Sequence, residues 1–276
     1  GASELPPPVA PETPAKFLRM RLSGVHTWEN IMADMIQSIL SISAFSTTVA
    51  GDAPSPSNGI FEVGKSVIAP TFTATTIVDG GDGPTTAVLT NDDNGESKNV
   101  QPDFGGLSTG GFSSANNYVR NSAVANGVVT FTLTAADAAT PATRTTSLNW
   151  YRRVYYGFNP TDPGTGNYTN AFLKTTVGGG GSPTTRSLLR PSESFTFTLP
   201  TPGVPSYVFI AYPARHGPLT SIIDNNNGFP ALGAFSQVDS AAAGITTENA
   251  AAVAENYRVY RSNMLLNGAV NFTVVT

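Results

Sequence analysis

The sequence predicts an all-β chain with two β-domains, and three observations lead there. Charged residues make up only 12% of the 276, about half the roughly 25% of an ordinary globular domain. Their place is taken by Thr, Ser, Asn, Gly and Pro, which suit pleated surfaces and the turns between strands. Apolar residues recur with period two in several short runs, and turn clusters separate those runs.

The elements follow in chain order. Pro6, Pro7, Pro8, Pro11 and Pro14 fall within the first fourteen residues. Proline sets φ and removes the N–H donor, so residues 1–24 read as an extended Pro-rich arm, partly polyproline II. Such an arm either trails free or straps a neighbouring subunit. Residues 25–59 read as one α-helix and a linker. Thr27 is an N-cap and Glu29 suits the positive helix end. Trp28, Ile31, Met32, Met35, Ile36, Ile39 and Leu40 form a stripe at helical spacing, opposite Asn30, Asp34, Gln37 and Ser41. The stripe either caps a sheet or packs against the same helix in other subunits, giving an anchoring and oligomerisation element.

From residue 60 the signals are strands. Val129, Phe131 and Leu133 alternate with threonines, as do Phe195, Phe197 and Leu199; Val270, Phe272 and Val274 repeat the pattern. Tyr207 to Tyr212 is apolar on both faces, as in a strand buried between layers. Clusters at 79–84, 91–95, 178–183 and 225–228 supply the turns. Many short strands with such punctuation mean sandwiches or barrels. A boundary near Gly157, after the strand Leu148–Tyr156, divides residues 60–157 from 158–276.

Several chemistries lose support. The net charge of −4, with 15 scattered basic residues, offers no field for phosphates, so nucleic acid is not an expected partner. The absence of cysteine excludes disulfides and thiolate metal sites and favours folding in a reducing cytoplasm. No apolar run reaches membrane-span length, and Gly1 to Pro14 lacks a signal-peptide pattern. Gly106-Leu107-Ser108-Thr109-Gly110 matches a nucleophile elbow in letters, but its Gly-rich flanks do not suit the required strand and helix. His216 is the only base downstream, with no orienting acid. Asn91-Asp92-Asp93-Asn94-Gly95-Glu96 departs from a calcium loop, because Thr90 and Gln101 occupy the first and twelfth positions. It reads as a turn. No catalytic, cofactor or metal residue is assigned, and the chain is expected not to be an enzyme. Trp150, Tyr151, Tyr155 and Tyr156 interleave with Arg152 and Arg153. Leu148, Trp150, Val154 and Tyr156 are expected to face a core. Tyr151 and Tyr155 are then partly exposed and available to a surface ligand such as a glycan.

The order of motifs carries a resemblance. Phe61-Glu62-Val63-Gly64-Lys65-Ser66-Val67 opens the first domain, Val128 to Asp137 is a late strand, and Asn149 to Gly157 closes it. Tyr207 to Pro213, Tyr257 to Ser262 and a strand through Val274 follow. Over residues 60–276 this resembles modules of tailed-bacteriophage tail-fibre and baseplate-type structural proteins, in which an immunoglobulin-like domain leads into a second β-domain. The insert from Asp92 to Gly127 and the arm with its helix have no counterpart in that pattern. The resemblance implies two β-sandwich domains, the first immunoglobulin-like, in a non-catalytic virion part. Other virion proteins are its expected partners. The lack of cysteine fits folding and assembly in the host cytoplasm, and the arm and helix stripe, which need surfaces to cover, suit a homo-oligomer, a trimer by preference. A capsid decoration protein and a host-surface glycan-binding module are the alternatives.

Overall fold

The computed structural model describes residues 40–49, 59–77, 83–121, 127–137, 141–176, 186–189 and 194–276. They form a mostly β, sandwich-type fold. The Pro-rich arm and helix positions 27–39 lie outside the described residues.

The first domain contains β1 (Ser41–Thr47), β2 (Ile60–Glu62), β3 (Ser66–Val67), β4 (Thr71–Ile77), β5 (Thr86–Asn91) and β6 (Ser97–Asn99). It continues with β7 (Thr109–Ser113), β8 (Tyr118–Val119), β9 (Val128–Ala136) and the start of β10 (Pro141–Asn159). One sheet runs β1-β4-β7, and the facing strands run β10-β9-β5-β6, with β2 parallel to β10. Early strands and a middle one thus share one sheet, and the last two lie beside the β5–β6 hairpin in the other. Period two does the sorting. Val129, Phe131, Leu133 and Ala135 of β9 are wholly buried, and the intervening threonines are half-exposed. Phe72 of β4 meets Phe131 across the core, ring centroids 4.7 Å apart.

The second domain adds β11 (Arg186–Leu189), β12 (Ser194–Leu199), β13 (Tyr207–Pro213), β14 (Ser221–Asp224) and β15 (Phe229–Pro230). It ends with β16 (Phe235–Thr246), β17 (Ala254–Ser262) and β18 (Val270–Val275). A sheet β12-β18-β14-β15 faces the strands β16-β17-β13-β10. Between them lie Tyr156, Phe197, Ile210, Tyr212, Ile222 and Phe272. A further apolar layer, Tyr155, Tyr168, Leu173, Phe209 and Tyr257, packs on the other face of β13 and β17. That double covering is why Tyr207 to Tyr212 has no polar face.

Two expectations need correction. Leu40, expected at an anchoring surface, directly precedes β1 and is buried in the first core with Ile42 and Phe45. Ser41–Thr47, placed with the helix and linker, is a strand paired with β4. Nor does the chain break near Gly157. β10 is one strand of 19 residues whose side chains pass from the first core at Trp150 to the second at Val154.

Candidate functional site

Two places concentrate polar side chains with structural consequences: the junction on β10 and a cavity in the second domain. At the junction, successive residues of a strand point to opposite faces, so Arg152 and Arg153 take different partners. Arg152 is 0% exposed. Its Nε lies 3.1 Å from Glu255 of β17, and its Nη1 donates to the Val253 carbonyl at 2.7 Å. Arg215 bonds the same carboxylate from the turn after β13. Arg153 reaches Glu62 of β2 at 3.2 Å and Glu248 at 3.6 Å. Glu62 is 2% exposed; burial pushes its carboxyl above the usual range, against the pull of the Glu248 backbone N–H and Arg153. The Tyr257 hydroxyl donates to the Arg153 carbonyl at 2.9 Å.

The loop between β16 and β17 completes the junction by lying against the first domain. The Glu248 N–H donates to Glu62 Oε1 at 3.0 Å, and Asn249 Nδ2 donates to the Val63 carbonyl at 2.7 Å. Gly64 makes this approach possible. Its φ is +90°, and a Cβ there would stand 2.8 Å from Ala251 Cβ and 2.9 Å from Asn249 Oδ1. Gly64→Ala should therefore cost about 1–2 kcal/mol from backbone strain alone and push the loop outward. The expected result is a lower urea midpoint with faster amide exchange at Thr247 to Val253; an unchanged midpoint and unchanged exchange would remove this contact from the account.

The cavity, of about 510 Å³, opens among the β14–β15 turn, the start of β16 and the loop from Ser262 to Val270. Phe235 and Phe272 form a buried floor, their rings edge-to-face with centroids 5.5 Å apart. Asn226, Asn263, Met264 and Asn267 are exposed at the rim. The loop is held by reciprocal backbone bonds between Leu266 and Ser206, at 2.8 and 2.7 Å, and by Ser262 Oγ donating to the Met264 carbonyl at 2.8 Å. Asp224 accepts from the Asn226 N–H and from Asn227 Nδ2, each at 2.9 Å. The junction lies at the start of the nine-residue β17 and the cavity at its end, about 26 Å away at ~3.3 Å per residue.

The expected site residues are placed as follows. Trp28, Ile31, Met32, Met35, Ile36 and Ile39 lie outside the described residues. Tyr151 is half-buried, its hydroxyl donating to Asn149 Oδ1 at 3.2 Å. Tyr155 is 2% exposed, against Tyr257 at 5.8 Å, and is no surface aromatic. The second half of β10 is covered on both faces, so alternation leaves it no wet side. Arg152 and Arg153, which interleave with these aromatics, are buried in ion pairs.

Ser108 is exposed on a bend, with a 3-10 turn (Gln101–Phe104) before it and β7 after it, so the elbow's strand–turn–helix geometry is not present there. His216 belongs to the second domain; burial and Arg215 push its ring down to about 4. The Asn91–Glu96 turn directs its donors inward. Asn91 Oδ1 accepts from the Asp93 and Asn94 N–H groups, Asp93 pairs with Arg120 at 2.9 Å, and Glu96 binds Ser114 Oγ at 2.7 Å and the Tyr118 hydroxyl. The Tyr118 phenol is pushed up to about 12 by burial and this carboxylate. Among the described residues no group of three or more His, Asp or Glu is placed to hold a metal ion, and no helix is long and apolar enough to cross a membrane.

No family model matches the chain, and comparison with curated proteins and solved structures likewise returns no match.

Proposed function

We propose that this chain is a non-catalytic structural component of a tailed-phage particle, a stiff two-domain spacer in a tail, baseplate or neck appendage attached through its N-terminal region. The observation that supports this reading most directly is the junction. A flexible pair of domains would be joined by an exposed linker rich in Pro, Gly or polar residues. Here one strand of 19 residues serves both cores, and the β16–β17 loop reaches back to grip the first domain. A spacer must hold its two ends at a constant separation and angle, and a shared strand crossed by buried ion pairs does that. The order of motifs along residues 60–276, with its resemblance to phage appendage modules, supplies the setting.

The attachment follows from sequence. Residues 1–24 are too rich in proline to bury a face, and an extended chain spans up to roughly 3.3 Å per residue. Their role in this reading is to lie on a neighbouring subunit, beside a helix stripe that packs between copies. Light scattering on the chain at tens of micromolar should report an oligomer, a trimer by preference. Ile31→Asp and Met35→Asp should each give monomers, because a charge in an apolar interface is strongly disfavoured. Their β-domain unfolding should match that of the parent. A stable monomer for the unmodified chain, or normal assembly by both variants, overturns this mode of attachment.

A further inference from the structure

We infer that the cavity at the far end of β17 is a binding site for an uncharged oligosaccharide carrying N-acetylated amino sugars. The inference goes beyond the spacer reading and rests on different residues, none of them in the junction or the N-terminal region.

The volume is the first argument. About 510 Å³ lies within the roughly 300–1,000 Å³ of small-ligand sites, enough for one or two sugar rings. Charge is the second. Asp224 is the only ionisable residue of the lining, so nothing there would neutralise a phosphate, sulfate or sialic acid. A carboxylate with spare lone pairs suits hydroxyl donors. Asp224 is already oriented by its two bonds within the turn, and a preset acceptor loses less freedom on binding.

The third argument selects the class of sugar. A plain hexose presents hydroxyls nearly all round, but much of this lining is apolar: Ala231, Ala234, Met264 and Leu266 above the phenylalanine floor. An acetamido group has a methyl for that surface and an amide for the rim. Asn267 is the matching group. Among the described residues nothing hydrogen-bonds its exposed side chain, so its carbonyl can accept from the acetamide N–H or its NH₂ can donate to the acetamide C=O, which point opposite ways in a trans amide. Asn263 adds a further donor. Its Oδ1 accepts from Ser236 at 2.6 Å and its Nδ2 donates to Gly233 at 3.2 Å, leaving one N–H for a ligand. Met264, 72% exposed, is a flexible thioether able to fold over a bound ring.

Saturation-transfer difference NMR on the full chain tests this, with N,N′,N″-triacetylchitotriose as probe and maltotriose as control. The acetamido methyl protons should receive the strongest saturation, with affinity near the millimolar level, and maltotriose should bind roughly tenfold more weakly. Ala231→Trp should abolish the signal by filling the cavity, and Asn267→Ala should weaken it; circular dichroism checks that both fold. No transfer to triacetylchitotriose at about 10 mM overturns the site. An equal response to maltotriose overturns the acetamide class, and an unchanged signal in both variants overturns the location. None of these outcomes bears on the spacer reading, whose test is assembly through residues 1–39.

Discussion

Glu255→Ala should destabilise the protein by about 3–5 kcal/mol, the cost of breaking a buried ion pair from one side. The argument begins with Arg152. A guanidinium does not deprotonate to escape burial, and this side chain is 1% exposed. Without Glu255 it keeps the carbonyls of Val253 and Ala254, at 2.7 and 3.4 Å, which solvate a cation without neutralising it. Arg215 also loses its partner. At 23% side-chain exposure water serves it instead, so that loss adds about 0–1 kcal/mol. Glu255→Gln, which keeps an acceptor in the same volume, should recover part of the loss. The double variant Arg152→Met with Glu255→Leu should recover most of it, because it removes the buried cation along with its counter-charge and leaves only the partly exposed Arg215 to water. Urea denaturation followed by tryptophan fluorescence and by circular dichroism reads the outcome. Coincident transitions in the parent should separate in Glu255→Ala as the two sandwiches uncouple. A Glu255→Ala protein within about 1 kcal/mol of the parent would mean that the pair is solvated and the junction is held by packing alone.

The same residues mark what the sequence made legible. Strands with strict alternation were read correctly because one face is wet: Val129, Phe131 and Leu133 are buried and their threonine neighbours are not. The second half of β10 misled the reading because both of its faces are covered. Alternation then carries no information, and Tyr155 was expected outside. A signal was available in the arginines. Adjacent residues of a strand point opposite ways, so Arg152 and Arg153 cannot share a face, and a core on either side must bury one of them with a counter-charge. In a chain only 12% charged, the acids to look for were few.

β1 was missed for a related reason. Its register shifts between Ile42 and Ala44, so its buried apolar side chains fall at Ile42 and Phe45, three apart. The bulge breaks the period-two pattern that marks a strand, so Ser41–Thr47 reads as linker. The cavity could not have been found at all from sequence. Its rim comes from Asn226, Asn263 and Asn267, residue types that a sequence offers as turn formers, and only the fold brings the three together.

Trp150→Ala should match the loss in Glu255→Ala, about 3–5 kcal/mol, by a different route. Trp150 is 2% exposed and is the last side chain β10 gives to the first core before the arginines. Its ring lies against Phe61, centroids 5.5 Å apart, and its indole N–H donates to the Lys65 carbonyl at 2.7 Å. Truncation empties the volume and removes that hydrogen bond together. Trp150→Phe separates the two effects: much of the ring remains while the donor is gone, so the loss should fall to about 1–3 kcal/mol. The position of Lys65 extends the consequence. It follows Gly64, whose close approach admits the β16–β17 loop, so losing the bond from the Trp150 indole to the Lys65 carbonyl should loosen the turn that the loop grips. Amide exchange at Thr247 to Val253 should therefore quicken in Trp150→Phe, although those residues lie in the other domain. If exchange there stays at the parental rate while stability falls, Trp150 serves only its own core, and the domains are coupled through the arginine pairs without it.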